Sequence, residues 1–216
     1  MFYADLASPW AHVAAHRLRR ERENLDLSER VAIDIRAFPL ELINETATSR
    51  TIFEAEIPVA GAIEPEAGWQ MWQGAASEFP VTTLLALEAV EAAKEQGLVA
   101  SENLDRALRV ALYGRSVNIS MRYEILAVAA TCDGLDADHL RRSLVAGTAR
   151  AAIENHLEDS LGDEVQGSPH LFTADGYQAY NPGIEMHWEG EPGIGFSVVD
   201  RDDPSVYTDI LRHAAR

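Results

Sequence analysis

The chain has 216 residues, 47% of them hydrophobic and 25% charged, enough to bury a core of its own and too apolar for a disordered polymer. Its 18 basic and 35 acidic residues leave a net charge of −17, an acidic shell that repels phosphate backbones and excludes nucleic acid as an expected partner. Cys132 is the single cysteine, so an internal disulfide and every multi-cysteine metal cluster are excluded as well.

Phe2 to Asp5 reads as a very short strand, and Met1 leads into it without the charged and apolar regions of a secretion signal. No apolar run approaches the ~20 residues that cross a bilayer, so neither a membrane nor export is expected, and the cytoplasm is the expected compartment. Ser8-Pro9 is a helix start: serine caps free amides and proline suits the first helical position. Ala11, Ala14, Ala15 and Leu18 then recur at helical spacing to about Glu23. The arginines 17, 19, 20 and 22 on this helix alternate with Glu21 and Glu23, which leaves no continuous basic stripe. Val31 to Phe38 alternates as a half-buried strand does, and Pro39 ends it.

From Glu41 to about Glu66 the pattern dissolves into acidic and small residues with Pro58, Gly61 and Pro65, and an irregular connection is expected. Helices follow over Phe79 to Gln96, Asn103 to Tyr113, Met121 to Thr131, and Asp136 to Leu161 with a break near Gly147. Cys132 follows the apolar run Ala127 to Ala130 and is expected to act as a small buried hydrophobe. Gly167 to Thr173 reads as a strand entered through Pro169. An Asp175-Gly176 turn then leads to a second short strand, Tyr177 to Tyr180. Gly193-Ile194-Gly195 lacks the strand-to-helix context of a nucleotide-binding turn. Pro204 to Ala214 closes the chain as a helix. The order is β-α-β, a helical block of roughly a hundred residues, then β-β-α.

Two local motifs give this order a likeness. Asp5-Leu6-Ala7-Ser8-Pro9-Trp10-Ala11 is similar to the Asp-x-x-Cys-Pro-Trp-Cys of disulfide oxidoreductases. Val165-Gln166-Gly167-Ser168-Pro169 is similar to their Val-x-Gly-x-Pro, and Arg36 to Leu40 and Gly134 to Asp136 match at two further places. Over nearly its whole length the chain therefore resembles the DsbA-like thioredoxin-fold family, which includes the 2-hydroxychromene-2-carboxylate isomerases and the kappa-class glutathione transferases. The resemblance implies an α/β fold, a thioredoxin-like core of residues 1–40 and 165–216 interrupted by a mostly helical insertion, residues 41–164.

The departure from the family decides the chemistry. Thiol–disulfide exchange needs an attacking thiolate and a resolving thiol, and Ser8 and Ala11 supply neither. Dithiol exchange through this motif is therefore excluded. By resemblance, Ser8 would orient the thiolate of glutathione or another low-molecular-weight thiol, in an isomerase or transferase of small aromatic or electrophilic substrates. The alternative use of its hydroxyl is the helix cap alone. Pro9 and Trp10 would border the ligand, and Ser168 with Pro169, cis by resemblance, would hold its backbone, with His170 next along the strand. His12, one turn beyond Ser8, is the general-base candidate. His12 and His16 are four residues apart but lack an evident third ligand, so no metal is expected. Trp10, Trp69, Trp72 and Trp188 are candidates for a pocket wall, with core packing as the competing use. The expected partner is a small molecule or a peptide, with a homodimer left open. The rival to the enzyme is a catalytically silent thioredoxin-fold binding protein.

Overall fold

The structure, a computed structural model, describes residues 1–47, 49–162 and 164–216. It is a mixed α/β fold. β1 (Phe2–Ala4) leads through the Ser8 cap into α1 (Pro9–Asn24), and β2 (Ile35–Ala37) returns parallel to β1, pairing Phe2 with Ile35 and Ala4 with Ala37. The helices α2 (Leu40–Ile43), α3 (Arg50–Ile63), α4 (Leu84–Ala92), α5 (Leu98–Arg115), α6 (Arg122–Ala129), α7 (Ala137–Ala146) and α8 (Arg150–Leu161) follow. Then come β3 (His170–Phe172), β4 (Gln178–Tyr180), β5 (Ile184–Glu189), β6 (Phe196–Asp202) and α9 (Val206–Ala214). The main sheet has the order β2-β1-β3-β4, with β3 antiparallel to both neighbours, and β5 with β6 forms a separate hairpin.

Strand alternation sorts the sheet into two faces. Phe2, Ala4, Ile35, Ala37 and Leu171 point to one side, into a core shared with Ala11, Ala14, Ala15 and Leu18 of α1 and with Tyr207, Ile210 and Leu211 of α9. The alanines let α1 lie close to the sheet, and the larger apolar groups fill the space beside them. Tyr3 points to the other side, where Phe38, Val165 and Phe172 surround it. There α8 contributes an edge-on His156 ring and Asp159, which accepts from Tyr3 Oη at 2.8 Å. No helix among the described residues is long and apolar enough to cross a membrane.

Several expectations are corrected. Most of the stretch expected as irregular between residues 41 and 66 is helical, because Ser49 caps α3 and Phe53, Ile57 and Ala60 recur on one buried face. Exposed acids and Pro58 hide that period in the sequence. The helix expected from Phe79 begins only at Leu84. Pro80 precedes it, and the carboxylate of Glu41 holds the entry by accepting from Thr82 Oγ1 at 2.5 Å and Thr83 N at 3.2 Å. The break at Gly147 is a left-handed helix end at φ 68°, where glycine carries no Cβ penalty.

The β5–β6 hairpin is absent from the sequence reading altogether. Ile184, Met186 and Val199 on its inner face pack with Trp10, Val13 and Ala60 of α1 and α3. Arg17 of α1 clamps it through Asp202, with Nη1 to Oδ1 at 2.5 Å and Nη2 to Oδ2 at 2.9 Å. Gly193 lies at its tip against Thr51 and Ile52 of α3. Cys132 is half-buried rather than buried, and its surroundings push the thiol pKa up.

Candidate functional site

The loop from β1 to α1 is organised by one fully buried carboxylate. Asp5 Oδ1 accepts from Ala7 N at 2.8 Å, and Oδ2 accepts from Leu40 N at 3.0 Å and Thr83 Oγ1 at 3.1 Å. Burial pushes its pKa up against those donors. The backbone of Asp5 is held too: its N–H donates to Ser168 Oγ at 2.8 Å and its carbonyl accepts from Arg109 Nη1 at 3.1 Å. This ties the start of α1, the loop before β3 and α5 to one point.

Ser8 stands at that point, buried, as the cap of α1. Its Oγ accepts from Ala11 N and donates to the Ser168 carbonyl, both at 3.2 Å. The Ser168–Pro169 peptide is cis. Ser8, Pro9, Ser168 and Pro169 are thus brought together. The only hydroxyl proton of Ser8 is already given to the neighbouring loop. Trp10 turns inward: Nε1 donates to Glu56 Oε1 at 2.9 Å, and the ring packs under the hairpin with Ile184. It does not border an open pocket at Ser8. Trp69 and Trp72 are packing residues, edge-on to His12 and to Phe79 respectively.

His170 does not join the group. It faces the same side of the sheet as Tyr3, away from α1, packs on Phe172 and Tyr180, and accepts through Nδ1 from Gln166 N at 3.1 Å. His12 lies deeper along α1, stacked on Tyr113 at 4.4 Å with Nε2 3.1 Å from the Ala67 carbonyl. A carbonyl only accepts, so Nε2 carries the proton and Nδ1 is a bare acceptor. Burial, and then Arg109, lowers the His12 pKa to about 3, so the ring stays neutral at physiological pH.

The largest departure from expectation is a buried polar region that sequence reasoning missed. Glu56 of α3 is 8% exposed, has the Trp10 indole as its partner, and is pushed by burial to a pKa of about 7. Arg109 of α5 is 1% exposed and pairs with Asp105 at 3.0 Å; Arg19 of α1 reaches the same carboxylate at 2.6 Å. His12 Nδ1, Arg109 Nη2 and Tyr113 Oη in this region are buried without a hydrogen-bond partner, as are His170 Nε2 and four side-chain atoms elsewhere among the described residues. A signal existed for Asp105 and Arg109, a charged pair four apart beside Leu104, Leu108 and Leu112 on the buried face of α5. None existed for Glu56.

A cleft of about 200 Å³ opens between α1 and α5, with His12, His16, Arg19 and Arg20 on one wall and Arg106, Arg109 and Val110 on the other. His16 also lies near Glu64 and Glu66, within 4.8 Å of ligand-type atoms on both. Arg20 bridges those carboxylates, with Nη1 2.5 Å from Glu64 and 3.1 Å from Glu66, and Arg17 adds a 2.7 Å bond to Glu64. A cation there would have to displace a guanidinium, and His12 turns to Ala67 instead of joining His16. No family model and no curated protein matches this chain.

Proposed function

We propose that the chain is a thioredoxin-like protein of the DsbA type that binds a small molecule or peptide and performs neither dithiol exchange nor thiolate activation at its helix start. The β-α-β opening, the sheet order and the proline before β3 support the thioredoxin-like core, with residues 41–164 as its insertion. The observation that carries the functional reading is the bond from Ser8 Oγ to the Ser168 carbonyl. Helix start and proline loop are the two elements between which a thiol ligand would lie, and they satisfy each other directly. With serine and alanine at positions 8 and 11, no redox couple stands there.

A second reading keeps one specific observation in its favour. Ser8 sits at a helix N-terminus beside Pro169, where a hydroxyl and free amides stabilise a bound thiolate. A thiol-dependent isomerase or transferase would break the 3.2 Å bond to Ser168 and turn the hydroxyl to sulfur. Calorimetric titration with glutathione separates the two. The binding-protein reading expects no saturable heat, and insulin reduction at background level. Saturable glutathione binding that weakens in Ser8→Ala would replace it with the thiol-dependent enzyme.

A further inference from the structure

The β5–β6 hairpin has one edge that the described residues leave uncovered. β6 lies against α3, and β5 pairs with β6 alone. Among the described residues, no backbone N–H or C=O of residues 185–189 bonds outside that ladder. In an antiparallel pair the backbone groups point by turns to the partner and away from it, so about half of those in β5 face outward unpaired. Folded chains blunt such an edge with proline, lysine, a bulge or a covering element, because it templates pairing with another strand. Ile184 to Glu189 contains neither proline nor lysine. The hairpin's irregularity sets Glu185 opposite Arg201 and Met186 opposite Val199, so the extra residue, Asp200, sits in β6 and β5 stays regular.

β5 alternates cleanly as a result. Ile184, Met186 and Trp188 turn inward, the last two only half-buried, while Glu185, His187 and Glu189 are exposed. The exposed charges alternate in sign once His187 is protonated. Its Nδ1 donates to Asp200 Oδ2 at 2.7 Å, which raises the imidazole pKa and leaves Nε2 without a partner among the described residues. The other charges near the ring are Glu185 and Glu189 on β5 itself, with Arg201 of β6 lying 3.3 Å from Glu185.

Two antiparallel strands related by a twofold axis set residues of the same face opposite one another, so the axis passes through a residue of β5 and not between two. Centred on Glu185 or His187, the pairing opposes Glu185 to Glu185 or to Glu189 of the second copy, and like charges directly opposite destabilise. Centred on Met186, it spans residues 184–188, sets Ile184 against Trp188 and Met186 against Met186, and places Glu185 opposite His187 on both sides of the axis. Centred nearer either end, it loses half the strand or more. We propose that β5 is a self-association edge through which two copies of this chain pair antiparallel about Met186, forming one sheet in the order β6-β5-β5-β6. In that register the strand complements itself in charge and in apolar face, which favours a second copy over an extended segment of another protein. One strand edge covers less than the ~1,200–2,000 Å² of a standard interface, so the dimer is reversible, with a Kd in the micromolar range. This inference does not depend on the reading of Ser8.

Sedimentation of the full chain between about 1 and 500 μM tests this, near pH 6 to keep His187 charged and at about 0.15 M salt to screen the −17 charge of each copy. The mass should rise with concentration from 23.7 kDa toward twice that value. Amide exchange within residues 184–189 should slow at the higher concentration. His187→Glu, at an exposed position, opposes a carboxylate to Glu185 on both sides of the axis and should weaken the dimer about tenfold or more. Adding Glu185→Lys to it restores opposite charges and should recover most of the affinity. A chain that stays monomeric at every concentration, a dimer that His187→Glu leaves unchanged, or exchange that slows elsewhere but not in β5 would overturn the proposal. Should His187→Glu disturb the hairpin beside Asp200, the exchange of the native chain decides alone.

Discussion

Glu56 offers a quantitative handle on the buried region beside α1. It is 8% exposed, its hydrogen-bond partner is the Trp10 indole, and burial moves its pKa from 4.5 to about 7. A carboxyl whose folded pKa is raised stabilises fully below the unfolded value and loses that contribution as pH rises through the folded value. Each pKa unit is ~1.36 kcal/mol, so the ionised form costs the folded state about 3 kcal/mol near pH 8 and less than about 1 kcal/mol near pH 5. Glu56→Gln keeps the volume and can still present an oxygen to Trp10, but it does not ionise. The variant should therefore gain on the native chain by roughly 2–3 kcal/mol between pH 5 and pH 8. Urea denaturation of both proteins at unit pH steps measures this, and the difference removes the titration of the other acids of this −17 chain. Parallel pH profiles would refute the reasoning, because they would mean that Glu56 ionises as readily folded as unfolded.

Two further perturbations test the supports of the site. Asp5→Ala leaves Ala7 N, Leu40 N and Thr83 Oγ1 without their acceptor in a buried loop, for a cost of at least about 3 kcal/mol in urea denaturation; a loss below about 1 kcal/mol would show that the carboxylate does not organise the loop. Asp202→Ala releases the hairpin from Arg17, which keeps Glu64 as a partner, so amides of residues 184–202 should exchange about tenfold faster while global stability falls by only about 1–2 kcal/mol. Unchanged exchange would show that the Ile184 and Met186 packing holds the hairpin alone.

The helix start at Ser8, the stop at Gly147 and the short strands around Phe2 and Leu171 were legible because each rests on neighbouring residues: a cap, a turn glycine, an alternation of apolar groups. The helix α3 was obscured because its buried stripe of Phe53, Ile57 and Ala60 is interspersed with acids and Pro58, and a weak local period needs its partner surface to become visible. The β5–β6 hairpin carried an alternation at Ile184, Met186 and Trp188, yet its stability comes from Trp10 and Arg17, more than 160 residues earlier in the chain.

Residue types alone determined that dithiol exchange cannot occur at positions 8 and 11, since no tertiary arrangement puts sulfur where serine and alanine stand. Whether the Ser8 hydroxyl is free, whether His12 can take a proton, and that Glu56 and Arg109 are buried polar groups were decided only by the tertiary structure. A hydroxyl's availability and an ionisable group's pKa are set by solvent exposure and by partners distant in sequence: Ser168 for Ser8, Ala67 and Tyr113 for His12, Trp10 for Glu56.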